Sequence, residues 1–353
     1  MLELLNTYQL ITAFEEVRSA PTFLQMRYFG QTINYNASAV LAEYKAHSKK
    51  AAPFCIDRHN GIPVLRGQYD IAQYTPPLIS LKRSMTADDL EGRGFGEALY
   101  AQLSPDQRQD RIFMEDLKDL DDMITRREEV MCAGIMLNNA VEVTEYADDL
   151  TVGRSDRINF YEGLSNPAEV DITTEWDDPD ADILGDLSRM VEIKADAGQP
   201  VDDLVCSPDV ARAIINNAAV KEMLDLRRYE LGQVDPRLID KGVALYAVLN
   251  IDGYPVNILG YGMSYEADDG TDTKYIPSGW CVLAHRDAGV RTYARVGEVE
   301  ESDGRFHYYA AARVPKYWSS AQDNIRQLKL SSRPLPLVKE PNPFISAKVL
   351  DID

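Results

Sequence analysis

The apolar positions along the chain change period several times, and each change marks an element. The longest regular stretch begins at Ser104, which reads as an N-cap, with Pro105 at the first helical position and Gln107 closing a capping box. Phe113, Leu117, Leu120, Ile124, Met131 and Ile135 follow at spacings of three, four or seven, a single stripe that runs until Asn138-Asn139. At about 1.5 Å per residue the stripe predicts a helix on the order of 50 Å long, a spine rather than a small core element. The charged run Arg126, Arg127, Glu128 and Glu129 interrupts it and reads as a solvated or subunit-facing stretch.

Beyond the spine, Ile183, Leu184, Leu187, Met190 and Val191 predict a second amphipathic helix, closed by Gly198 and Pro200. A third begins at Ser207-Pro208 and carries Val210, Ala213, Ile214, Ala218 and Leu224. Strands are expected at Val243 to Leu249 and Val256 to Leu259, joined through Asp252-Gly253, so that helices and hairpin make a compact α+β unit. Extended segments recur near Trp280 to Ala284, Arg291 to Val296, Arg305 to Val314 and Ile325 to Leu330. In the Pro-rich tail, Arg333-Pro334-Leu335-Pro336 and Pro341-Asn342-Pro343, the prolines read as punctuation of closing strands rather than as a polyproline ligand.

Before the spine the pattern is extended from Pro53 to Met85, where Phe54, Ile56, Ile62, Val64, Leu65 and Ile71 recur among polar residues and Asn60-Gly61 supplies turn chemistry. This predicts a long β-hairpin. Pro63, Pro76 and Pro77 confine it to edges or projecting loops, and one face, with Ile56, Asn60, Gly61 and Ile62, is expected to lie over a neighbouring chain. Residues 1 to 50 show no sustained period. Phe23, Leu24, Met26 and Phe29 fall within seven residues, too dense for a solvated tail, and are expected to contact another chain; the competing reading is a cap on the chain's own spine helix.

Charge narrows the function. Of 353 residues, 57 are Asp or Glu against 37 Lys or Arg, a net charge of −20, the wrong sign for a surface that grips phosphate. Apolar residues at 45% and charged residues at 27% exclude pervasive disorder. No run approaches the roughly 18 to 20 apolar residues of a membrane span, and Glu3 stands where a signal peptide carries a positive charge, so neither membrane nor secretory routing is expected.

Candidate chemistry is sparse. Cys55, Cys132, Cys206 and Cys281 form no CxxC pair, and His47, His59, His285 and His307 form no HExxH. Gly92, Gly94 and Gly96 follow an acidic segment rather than a buried strand, which disqualifies a dinucleotide loop. Asp178, Asp180 and Asp182 open like a calcium loop, but Ile183 replaces the required glycine and Arg189 the closing glutamate. Ser264 lacks the second glycine of a nucleophile elbow. No catalytic, cofactor-binding or metal-ligating residue is expected.

Several segments, in order along almost the whole chain, resemble the lambda-type major capsid protein family (phage major capsid protein E) of tailed bacteriophages: PTFLQMRYF (21–29), QYTPPLISLKRSMTADDL (73–90), AVKEMLDLRR (219–228), VRTYARVGE (290–298), AARVPKYW (311–318) and LPLVKEPNPFISAKVL (335–350). The resemblance implies an α+β fold of the Hong Kong 97 type, with an N-terminal arm (1–50), an extended loop (51–90), a peripheral domain (91–178) whose spine helix spans 104–138, an axial domain (179–290), and return strands (291–353) completing the peripheral domain. It implies a non-enzymatic chain that assembles with itself into hexamers and pentamers of an icosahedral head shell in the virion. Assembly would take place in the host cytoplasm, with scaffold, portal and decoration proteins as further partners and DNA enclosed but not tightly bound. Some relatives crosslink through a lysine and an asparagine, and no paired motif here carries that chemistry over. A minor virion or decoration protein that binds a preformed shell, and an enzyme with an unfamiliar site, remain the alternatives.

Overall fold

The computed structural model describes residues 23–45, 69–86, 105–146, 152–160, 169–225, 232–233, 237–300, 304–320 and 325–351. The spine is a single helix, Pro105–Asn138, of 34 residues, about 51 Å at 1.5 Å per residue. It stops because Asn139 takes a left-handed conformation, with φ at 46°, and donates its backbone N–H to the Ile135 carbonyl. The Asn139 side chain then holds the Phe160 carbonyl, fixing where the hairpin Ala140–Tyr146 and Val152–Asn159 leaves the helix. The expected N-cap, Ser104, lies outside the described residues.

The spine serves two cores. Its first half buries Phe113, Leu117, Leu120 and Ile124 against Leu328 and Leu330 of a three-stranded antiparallel sheet, in which Ile325–Ser332 lies between Val314–Ser320 and Ile79–Met85. Four such side chains contribute roughly 6 to 12 kcal/mol before ordering costs are subtracted. Its last turns carry Met131, Cys132, Ile135 and Met136 into a larger core shared with the strands that follow.

That larger core lies on one face of a seven-stranded mixed sheet. Along it run Ile345–Lys348, Trp280–Ala284, Asp203–Cys206, Tyr254–Tyr261, Val243–Ile251 and Gly232–Gln233, with Arg237–Asp240 also paired to Val243–Ile251. The helices Ile183–Ala197, Pro208–Asn216 and Ala218–Asp225 cover the other face. Val243–Ile251 serves both faces because an irregularity at Tyr246 leaves that residue unpaired between Leu245 and Ala247. Val243 and Leu245 therefore face the spine, and Ala247, Leu249 and Ile251 face the helices. The Tyr246 ring fits because residue 260 is glycine, where a Cβ would lie 2.4 Å from a ring carbon.

The helix expected from Ser207-Pro208 is two helices. Asn217 breaks it, accepting at Oδ1 from the backbone N–H of Ala219 and Val220 to cap the second. The acidic residues before Ile183–Ala197 act as local caps, with Asp182 accepting from the Gly185 N–H and Asp178 from that of Asp180. Gly198, with φ at 72°, ends that helix.

A third sheet corrects the expected arm. Gln31–Tyr35 pairs in parallel with Gly289–Ala294, whose other neighbour is Pro334–Val338. Part of the segment expected to serve other chains is thus a strand of the chain's own fold. Pro334 and Pro336 sit on an edge strand of this sheet, where a missing donor is tolerated. Val40–Lys45, expected in the arm, pairs antiparallel with Tyr69–Tyr74, while Ile79–Met85, expected in the same hairpin as Tyr69–Tyr74, belongs to the sheet under the spine. Ile56, Asn60, Gly61 and Ile62 lie outside the described residues. The last strand, Ile345–Lys348, joins the seven-stranded sheet beside Trp280–Ala284 instead of completing the layer under the spine. Trp176, on the other side of the expected boundary, packs in the helical core of that same sheet.

Candidate functional site: the junction under the arm helix

The short helix Phe23–Tyr28 is where the chain's distant parts meet. Phe23, Leu24, Tyr28 and Phe29 are buried in the larger core. Phe29 stacks near Phe344 and its ring occupies the space over Gly289, where a Cβ would lie 2.2 Å from a ring carbon. Three of the four residues expected to reach another chain are therefore consumed within this one. Only Met26 keeps an exposed face, at 55%.

Glu129 holds the start of this helix. Completely buried, it accepts from the backbone N–H groups of Leu24 (2.8 Å) and Gln25 (3.1 Å) and from the Tyr261 hydroxyl (2.9 Å). One carboxylate thus satisfies two donors that the first helical turn leaves without intrahelical partners, and its charge matches the positive end of the helix. The Gln25 side chain donates to the Thr125 carbonyl one turn back along the spine. Burial, with Glu129 adjacent, pushes the Tyr261 hydroxyl well above its ordinary range, so it remains a donor.

Its neighbour Glu128 faces another way, since consecutive helical residues diverge by about 100°. It accepts from both terminal nitrogens of Arg313, whose Nε donates to Asp121 at 2.7 Å, and it also accepts from the Tyr293 hydroxyl. Burial works against charge on Arg313, but the attraction of Glu128 and their hydrogen bonds outweigh it and hold the guanidinium firmly protonated. The arm helix has its own ion pair: Arg27 bonds Asp203 through two nitrogens at 2.6 and 2.8 Å, and Tyr28 and Asn257 complete the Asp203 shell. These bonds to Asp203 raise the Arg27 pKa against the cost of burial.

The charged run expected to be solvated or subunit-facing is thus divided. Glu128 and Glu129 are buried ligands of the fold, whereas Arg126 and Arg127 are exposed, Arg127 pairing within the chain with Asp268. A signal for Glu128 was present in the stripe, because it fills the gap between Ile124 and Met131 on the apolar face. Nothing local marks Arg27, Asp203 or Arg313, whose partners are 176 and 185 to 192 residues away.

Among the described residues no group of three or more His, Cys, Asp or Glu is placed to hold a metal ion, and no helix is long and apolar enough to cross a membrane. Cys132, Cys206 and Cys281 are buried free thiols, pushed up in pKa by burial. What the junction does is join: it locks arm helix, spine, sheet and returning strands into one body.

Comparison with known proteins places this architecture. The P21 prophage-derived major head protein of Escherichia coli O6:H1 strain CFT073 is 24% identical over 356 aligned residues, covering 98% of this chain and 99% of the relative. The major capsid protein of Escherichia phage lambda is also 24% identical, over 99% of this chain and all of the relative. Among solved structures, the crystal structure of an E. coli CFT073 prophage protein assigned to the capsid superposes with a TM-score of 0.67 at 15% identity, covering 98% of this chain and 99% of that one. The fold is accordingly the α+β Hong Kong 97 type. With the profile of phage major capsid protein E matching residues 6–349, the chain belongs to that family.

Proposed function

We propose that the chain is the shell-forming subunit of a tailed-phage head, assembling with copies of itself into hexamers and pentamers that close into an icosahedral shell around packaged DNA. The observation that carries this reading is the family match from residue 6 to residue 349, on a chain whose distant segments are locked into the capsid fold. The product works as part of the virion shell after assembly in the host cytoplasm, with scaffold, portal and decoration proteins as further partners, and it has no catalytic task. In this reading the spine and the three-stranded sheet form the peripheral domain and the seven-stranded sheet the axial domain. The neighbour contacts expected of Ile56, Asn60, Gly61 and Ile62 in the 51–90 loop lie outside the described residues. A net charge of −20 suits a container for DNA, because repulsion keeps the polymer from adhering.

Expression alone and together with the phage assembly proteins, followed by native mass spectrometry and negative-stain microscopy, tests the proposal. Rings of five or six subunits, or closed megadalton particles, are expected. Monodisperse monomers or dimers under every condition overturn it.

A further inference from the structure

The three-stranded sheet under the spine has a second face, and its chemistry is unusual for so acidic a chain. Residues opposite one another across antiparallel strands point the same way. Leu81, Leu330 and Pro315 form one such row toward the spine, which places the adjacent row on the opposite face. That row is Lys82, Lys329 and Lys316, three lysines side by side across three strands. Like charges directly opposite one another in a sheet are destabilising. The flanking rows on this face, Ser80–Ser331–Val314 and Ser84–Gln327–Trp318, contain no carboxylate to offset them.

Among the described residues, the carboxylate that meets the row comes from outside the sheet. Glu298, on the adjoining hairpin Val296–Val299 and Phe306–Tyr309, accepts from Lys329 at 2.8 Å and from Ser331 at 3.2 Å. Lys316 donates to the Val299 carbonyl and lies over the Trp318 ring. Lys82, on the edge strand, is exposed. On the same hairpin Phe306, 72% exposed, and Tyr308, 56% exposed and lying under Arg295, occupy the face opposite Glu298.

We propose that this lysine face is a docking surface for carboxylates of a second copy of the chain. The proposal rests on the shell-forming reading above and deepens it by assigning a contact surface. A second copy is the occupant that charge complementarity selects, because a chain with 57 acidic and 37 basic residues presents mostly carboxylates to any neighbour. Glu298 on Lys329 is the within-chain instance of the same contact. A duplex fits less well: it offers a phosphate about every 1.7 Å and needs a run of free cations, whereas Lys329 and Lys316 are engaged by the adjoining hairpin and Lys82 is the exposed charge of the row, enough for a point contact with a carboxylate. A lysine face on one copy meeting a different, acidic surface on the next is a heterologous contact, the kind that builds rings.

The test uses the full-length chain with Lys82→Glu and Lys82→Gln. In the isolated subunit Lys82→Glu exchanges a like-charge neighbour of Lys329 for an opposite one, so its unfolding temperature is expected to hold or rise. Shell yield at physiological salt is expected to fall about tenfold for Lys82→Glu and less for Lys82→Gln. In shells assembled from isotopically light and heavy subunits, carbodiimide treatment is expected to give mixed-isotope crosslinks from Lys82 to Asp or Glu. Normal shells from Lys82→Glu, or crosslinks confined to single chains, overturn the docking surface alone. Loss of duplex affinity in Lys82→Glu without loss of shells assigns the face to DNA and likewise overturns it. Failure of the unaltered chain to form shells overturns the shell-forming reading and the docking surface with it.

Discussion

Glu129 is the residue on which docking of the arm helix depends most directly. Replacing it by alanine removes the acceptor of three buried donors, the N–H groups of Leu24 and Gln25 and the Tyr261 hydroxyl. Each buried donor left without a partner costs about 1 to 3 kcal/mol, so leaving the helix in place would cost roughly 3 to 9 kcal/mol. The chain has an escape, which is to undock residues 23 to 29 and return the donors to water. Undocking forfeits the burial of Phe23, Leu24, Tyr28 and Phe29, worth roughly 6 to 12 kcal/mol. It also recovers about 1 to 2 kcal/mol of backbone entropy for each freed residue. The two nearly cancel, but undocking also breaks the bonds of Arg27 and Tyr28 to Asp203 and of Gln25 to Thr125, so the expected loss is about 3 to 6 kcal/mol, the low half of the range. Glu129→Gln keeps one acceptor oxygen and is expected to lose about half as much. Urea unfolding of the soluble subunit measures the loss, and hydrogen exchange locates it, with amides of residues 24 to 29 exchanging far faster than those of the spine. A Glu129→Ala subunit with an unchanged unfolding midpoint and full protection of the arm helix refutes the reasoning.

Two further substitutions probe the same body. Gly289→Ala places a methyl group on the Phe29 ring and against the Leu337 carbonyl, and a loss of about 1 to 3 kcal/mol is expected in urea unfolding; the combination Gly289→Ala with Phe29→Leu should recover part of it. Lys194 is fully buried, donates to the Pro343 carbonyl at 2.6 Å and lies 3.1 Å from His285 Nδ1. Burial lowers its pKa from 10.5 to about 7 against the attraction of Asp202 and Glu340, and burial together with Lys194 lowers that of His285 from 6.5 to about 4. Because the unfolded chain binds the Lys194 proton more tightly, stability rises with pH between about 7 and 10.5 and the full penalty, on the order of 5 kcal/mol, persists below 7. His285 adds a rise between about 4 and 6.5. Unfolding midpoints of Lys194→Met measured from pH 6 to 10 should lose the upper rise; curves parallel to those of the unaltered chain count against it.

Features that depend on a few neighbouring residues were legible in the sequence. The spine ends where Asn138-Asn139 offers a side chain that tolerates positive φ, and the central hairpin turns at Asp252-Gly253, with φ at 49° and 88°. The apolar pattern predicts the helix from Ser207-Pro208 but not its break, because an asparagine inside such a pattern reads equally as a helical residue or as a cap. The misjudged features depend on distant partners. Phe23, Leu24 and Phe29 looked unpartnered because their partners include Tyr261, Gly289 and Phe344, more than two hundred residues later. Glu128 and Glu129 read as solvated or subunit-facing by their charge alone, whereas helix phase places Glu128 directly in the apolar stripe. The unpaired Tyr246, which turns one strand from the spine toward the helices, carries no local mark at all.

The parallel pairing of Gln31–Tyr35 with Gly289–Ala294 also sets a schedule for synthesis. A ribosome adding about 5 to 20 residues per second takes roughly 10 to 50 s to travel between those strands. Over that interval Leu24 and Phe29 have no sheet to cover them. Ile79–Met85 waits almost as long for Ile325–Ser332, and the seven-stranded sheet waits for Ile345–Lys348. None of the three sheets is complete until a strand beyond residue 324 has been made. A prematurely terminated copy therefore lacks a rigid body with which to enter a growing lattice, and stays available to chaperones and proteases. The threading of the polypeptide thus works as an inspection for length, carried out before a subunit meets its neighbours.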